Sequence, residues 1–227
     1  MAQSLANLLV SAGDRLNDPN HVTATLPQLR RWINEATREI ARRTECLFGT
    51  DTIPVLAGTQ SYFLPPDVVR LNHVQYELDT QTIALEYIEQ GAAQYLWGVN
   101  QAHQSAWPEQ YTTWGHPGSS TFSIRLFPVP SSNGTLRIYY SRLPVELATD
   151  GSDDNTSIDV PNGWEDPLLD YVQAQVFLRD RRADDYQLVT QRFQDRLVAL
   201  VETSGRDYNT NPGMITPLMG IDTWGVY

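Results

Sequence analysis

Hydrophobic positions recur at helical spacing at both ends of this chain and at strand spacing in its middle. Leu5, Leu8, Leu9, Ala12 and Leu16 fall on one face of a first helix, which LNDPN at 16–20 closes. A second helix is signalled more fully. Thr25 caps it, Gln28 answers three residues on as a capping box, and Pro27 sits in the tolerated first turn. Leu29, Ile33, Ala36 and Ile40 form its apolar face. Arg31–Glu35 and Glu39–Arg43 lace the other face as i,i+4 pairs, each worth about 0.3 kcal/mol. Towards the C-terminus a third helix runs from about Trp164, with Leu168, Leu169, Val172 and Val176 as its stripe. A fourth runs from about Asp184, with Val189, Phe193, Leu197 and Leu200.

After Phe48 the pattern changes to short runs of Val, Ile, Tyr and Phe separated by Gly, Pro and Asn. Residues 52–65 read as a hairpin about Ala57-Gly58-Thr59. VVRLNHVQYE and TIALEYIE are strands split at residues 78–81, and residues 88–97 suit a short helix. SIRLFPVP and TLRIYYSRLP read as a hairpin about Ser131-Ser132-Asn133-Gly134, since Asn-Gly supplies the positive φ angles of a tight turn. Arg125 and Arg137 alternate there with Ile124, Leu126, Leu136 and Ile138, giving one polar and one apolar face. The economical fold is α+β: a bundle of four main helices drawn from the two chain ends, carrying an inserted antiparallel β-rich region. The divisions fall at 1–48, 49–145, 146–204 and 205–227.

Two segments fit neither pattern. Residues 146–163, ELATDGSDDNTSIDVPNG, are acidic and rich in small residues and read as a mobile surface loop. Asp150, Asp153, Asp154, Asn155 and Asp159 are oxygen-rich, but their spacing misses the calcium-loop pattern. Residues 205–227 hold four glycines and two prolines, which forbid a long helix. Yet Tyr208, Met214, Ile215, Leu218, Met219, Ile221, Trp224, Val226 and Tyr227 are too apolar for a solvated tail. The segment reads as an extended arm that needs a surface, either its own bundle or a neighbouring protein.

Composition narrows the chemistry. The net charge of −11 argues against a nucleic-acid groove. All 16 basic residues are arginine, whose planar fork suits carboxylate pairs and protein interfaces. The single cysteine, Cys46, excludes an internal disulfide and a cysteine-rich metal site. No apolar run approaches the length of a membrane span, and the first residues lack a secretion signal's basic lead, so a soluble protein made in a cytoplasm is expected. GxxxxGK[ST], GxGxxG, HExxH and GxSxG are all absent, and His21, His73, His103 and His116 are scattered. No enzymatic activity, metal or cofactor is therefore expected.

The order of several blocks carries more information than any one of them. LNDPN, QLRRWINEATREIARRTECLF, AGTQSYFLPPDVVRL, IRLFPVPSSNGTLRIYYSRLP and PNGWEDPLLDYV resemble the landmarks of phage head-to-tail connector adaptor proteins, including the tail tubular protein A-like group. The resemblance covers most of residues 1–204. It implies a structural adaptor in the virion, assembled in the host cytoplasm as a homo-oligomeric ring, typically of twelve copies. Such a ring joins the portal protein to the tail or nozzle protein and surrounds the channel through which DNA is ejected without specific binding. It also implies C-terminal arms that reach onto the portal, a role for Tyr208, Met214, Ile215, Leu218, Met219, Ile221, Trp224 and Tyr227.

Within that frame, Arg31, Arg38, Arg42, Arg43, Arg179, Arg181 and Arg182 are candidates for contacts between neighbouring subunits, with an intrahelical Arg181–Asp185 pair as the alternative. Trp97, Trp107, Tyr111 and Trp114 are candidates for facing the tail, with core packing as the alternative. A different class of function uses the same four aromatics to stack on a host-surface glycan. A cell-wall hydrolase, the third reading, requires a pair of carboxylates that no spacing selects.

Overall fold

A computed structural model describes residues 4–97, 104–161 and 163–208, the last six by backbone alone. It is mixed α+β, with five helices and mainly antiparallel sheets among the described residues. Helix α1 spans Leu5–Arg15 and α2 Leu26–Thr44. The Thr25 amide donates to Gln28 Oε1 at 3.1 Å, half of the capping box read from the sequence. Helices α4 (Glu165–Arg179) and α5 (Ala183–Tyr208) follow the sheets, while the short α3 (Gln90–Trp97) lies between strands. One core joins Leu5, Leu8, Leu29, Ile33, Ile40, Leu168, Val172, Phe193 and Leu197, so α1, α2, α4 and α5 share it. Among its described side chains, helix α5 buries a single row, Val189, Phe193 and Leu197, and the rest are half-buried or exposed.

The β region is a two-layer sandwich. Strands β1 (Phe48–Val55), β10 (Gly134–Arg142), β3 (Val68–Leu78) and β4 (Gln81–Ala84) form one antiparallel sheet in the order β1-β10-β3-β4. Strands β2 (Ser61–Phe63), β8 (Ser123–Phe127), β7 (Gln110–Trp114) and β5 (Glu86–Tyr87) form the second, in the order β2-β8-β7-β5. Val74, Tyr76, Leu136 and Ile138 from the first and Tyr62, Tyr111, Ile124 and Leu126 from the second share one core. Two short pairings are parallel: β5 with β7, and β6 (Gln104–Ser105) with β9 (Val129–Pro130).

The pairing of β3 with β4 across Asp79 and Thr80 follows the sequence reading. The other two hairpins do not form. Strand β1 pairs with β10 and β2 with β8, so residues 52–65 cross between sheets. Strands β8 and β10 likewise lie in different sheets. Pro128 and Pro130 lack the N–H groups that would extend β8 towards a turn, and Val129–Pro130 pairs with Gln104–Ser105 instead.

Gly134 is therefore not a tight-turn glycine: its φ is not positive. It opens β10 where the Tyr76 ring crosses the backbone, and a Cβ there would lie 2.6 Å from that ring and 2.8 Å from the Glu77 carbonyl oxygen. Tyr76 is fully buried and donates its hydroxyl to the Ser132 carbonyl at 3.2 Å. Gly134→Ala is accordingly expected to cost about 2 kcal/mol through overpacking. A shift in the urea midpoint at constant slope would register it; an unshifted midpoint would mean that the ring moves aside freely.

The acidic segment is docked, which corrects its reading as a mobile loop. Arg30, 6% exposed, holds Asp154 through both carboxylate oxygens at 2.8 and 2.6 Å. That contact holds the Arg30 pKa above its ordinary value. Buried Asn34 brackets Leu147, donating to its carbonyl at 2.7 Å and accepting from its amide at 3.2 Å. The Leu5 and Ala6 amides donate to the Thr156 and Asp154 carbonyls. Arg142 grips Asp159, a pairing that raises its pKa in turn. Asp154 and Asp159, which resembled solvated charge, thus have internal partners.

The left turn after α1 depends on another carboxylate. Asp18 accepts the amides of Ala24, Val22 and Thr23 at 3.0, 2.8 and 2.7 Å, and these bonds, that of Ala24 foremost, lower its pKa. A depressed folded-state pKa stabilises the protein above the ordinary carboxylate range and ceases to as pH falls through the lowered value. Asp18→Asn should therefore unfold at lower urea than wild type at pH 7, and the gap should narrow below about pH 4. A gap independent of pH would assign the effect to packing.

Candidate functional site

The surfaces able to meet other molecules begin with the arginines. Arg31 pairs with Glu35 at 3.7 Å and Arg43 with Glu39 at 2.6 Å, both within α2. Arg38 reaches Glu146 at 2.8 Å. Arg179 contacts Asp180, donates to the Thr23 carbonyl at 2.6 Å, and lies 6.0 Å from the Trp32 ring. Arg182, not Arg181, makes the pair with Asp185, at 2.6 Å. Arg181 occupies the left-handed turn between α4 and α5 with φ +57°. Among the described residues Arg42 and Arg181 are exposed and have no ion pair, so these two remain open to an outside carboxylate.

A group of charges unmarked in the sequence reading lies inside the helical layer. Asp170 of α4 is completely buried. Arg15 of α1 approaches it at 3.3 Å, and Arg192 and Arg196 of α5 at 2.7 and 2.8 Å. Asp166, one turn earlier, meets Arg15 at 3.3 Å and Arg196 at 3.6 Å. The contacts to Asp170 are charge contacts rather than aligned hydrogen bonds. The signal was present as Asp166 and Asp170 at i,i+4 and Arg192 and Arg196 at i,i+4. It was obscured because periodicity assigns Asp170 no partner.

The four aromatics do not share one face. Tyr111 belongs to the sandwich core, where burial pushes its hydroxyl pKa up to about 12. Trp107 packs edge-on against Tyr76, with centroids 5.9 Å apart. Trp97 donates to Gln110 Oε1 at 3.0 Å and stacks near Phe127. Trp114 alone is well exposed, at 45%, with the Arg125 guanidinium 4.7 Å above its ring. A groove of about 470 Å³ lies beside β3 and β7, lined by Arg70, Asn72, Tyr87, Tyr111, Thr113 and Phe122.

Among the described residues, no three His, Cys, Asp or Glu side chains are placed to hold a metal ion. No described helix is long and apolar enough to cross a membrane. Burial raises the Cys46 thiol pKa, away from the range of a reactive thiolate.

The surfaces are thus arginine-studded helices, a sheet face bearing Trp114, and a long helix leading towards residues 209–227. The model of one family, SU10 adaptor protein, matches residues 3–216. The chain belongs to that family. No curated protein matches it. The chain is therefore a phage structural adaptor and a virion component, whose role is carried by surfaces that bind other assembly proteins. The family match begins near the adaptor's first helix and extends past α5. The expected arm begins later than its sequence reading: Gly205 and Arg206 continue α5, and Tyr208 is its last residue. Met214, Ile215, Leu218, Met219, Ile221, Trp224 and Tyr227 lie outside the described residues.

Proposed function

We propose that the adaptor assembles as a homo-oligomeric ring, of about twelve copies by resemblance to the tail tubular protein A-like group, at the head-to-tail junction. The ring joins portal to tail and surrounds the DNA path. It acts by binding and performs no catalysis. The observation that carries this reading is the family match, which spans both helical ends and the sandwich rather than one module. Residues 209–227, which follow α5 directly, supply the portal-docking arm, and their apolar composition suits a protein surface. The net charge of −11 suits a channel wall that must not hold phosphates while DNA passes. Assembly occurs in the host cytoplasm.

Arg42 and Arg181 are the arginines best placed for neighbouring subunits, since both lack an internal ion pair among the described residues. Electron micrographs of the adaptor mixed with the portal of the same phage should show end-on rings stacked on portals. Portals that stay bare would count against the reading.

A further inference from the structure

We infer that the outer face of the β2-β8-β7 sheet docks against the outer stripe of α5 on a second copy of the chain. The inference rests on the ring reading above and names the surfaces that would close it. Strand register places Phe63, Ser123 and Trp114 in one row across this face, and Ser61, Arg125 and Thr112 in the next. Phe63 is 73% exposed and Trp114 45%, an apolar pair flanking the small Ser123. Arg125 lies over Trp114 and has no ion pair among the described residues. Its Nε and the adjacent Thr112 Oγ1 are both buried without a hydrogen-bond partner. The face therefore presents two apolar rings and a half-buried cation with no ion pair among the described residues, while Thr112 and Ser123, both buried, form the floor between them.

The matching surface is on the same chain. Among its described side chains helix α5 buries Val189, Phe193 and Leu197, and Leu188, Asp195, Val198 and Glu202 are exposed along its outer side. Leu188 and Val198 are 70% and 50% exposed, with Asp195 between them. This stripe is apolar and anionic where the sheet face is apolar and cationic. Asp195 and Glu202 are the exposed carboxylates of this stripe, opposite in sign to the Arg125 that the sheet face leaves without an ion pair among the described residues. A glycan fits less well, because the Arg125 guanidinium already occupies one face of Trp114. Since the two patches differ, the contact is head-to-tail, the class of contact from which closed rings are built.

Sedimentation velocity of the full-length adaptor, alone and with the portal of the same phage, tests the contact. Arg125→Glu and Asp195→Arg are each expected to weaken self-association roughly tenfold or more, and the double variant to recover it. Phe63→Ser should weaken it without a change of charge. Circular dichroism identical to wild type would show that these substitutions leave the fold intact. Wild-type association by Arg125→Glu, or no recovery in the double variant, would overturn the inference while leaving the ring reading intact. A wild-type adaptor that stays monomeric and ignores the portal would overturn both.

Discussion

Asp170→Asn is expected to destabilise the adaptor by about 3 kcal/mol, measured as a fall in the urea midpoint at unchanged slope. The substitution keeps the size of the side chain and removes its charge. Asp170 has no exposed surface, and three guanidiniums lie within 3.3 Å of it. Removing one partner from a buried ionic cluster typically costs about 3 to 5 kcal/mol, because the remaining charges lose their compensation. The lower end applies here, since the side chains of Arg15, Arg192 and Arg196 are 26%, 43% and 33% exposed and water screens them. The charge also joins α1, α4 and α5, and among its described side chains α5 has one buried apolar row to hold it otherwise. Protease sensitivity should therefore rise first in α5. A midpoint within about 0.5 kcal/mol of wild type would mean that apolar packing alone seats α5.

Deleting residues 209–227 is expected to leave a folded adaptor that no longer binds the portal. Among the described side chains, Leu197 and Leu200 are the last that pack in the helical core, and α5 continues to Tyr208. A chain ending at Tyr208 therefore keeps every described core contact, and its urea midpoint should match that of the full chain. A deletion from 205 would also shorten α5 and confuse the two effects. The removed residues carry Met214, Ile215, Leu218, Met219, Ile221, Trp224 and Tyr227, with Asp222 as their sole charged side chain. Undiminished portal binding by the truncated protein would remove the arm from the account.

The helices were legible because one face of each is buried at intervals the sequence repeats. Leu29, Ile33, Ala36 and Ile40 are all fully buried, and the Gln28 side chain caps its helix as the spacing implied. The alternation around Ile124, Leu126, Leu136 and Ile138 correctly gave the buried face of β8 and β10. What alternation does not encode is which strand is the neighbour. Strands β8 and β10 are close in sequence and of matching pattern, yet two prolines divert the chain into the other sheet. Gly134 was singled out for a turn it does not make; its requirement is the Tyr76 ring.

Charge was the least legible property. The acids of 146–163 resemble solvated loop residues, and only the fold brings Arg30 and Arg142 to them. The interaction surfaces were partly legible. The sequence offers Trp97, Trp107, Tyr111 and Trp114 as one tail-facing set, but burial divides it: Tyr111 faces the core and Trp114 faces outward. Phe63 drew no attention in the sequence because its strand alternates normally around buried Tyr62 and Leu64. Its exposure becomes informative only when register sets it in line with Trp114.

Light scattering of the purified adaptor, alone and mixed with the portal of the same phage, measures the central claim directly. The account predicts a shift from the free protein to a single portal-bound species whose added mass corresponds to one ring of adaptors, about twelve copies of 25.7 kDa. An unshifted mass with intact portal, or one or two copies bound without a ring, would contradict it.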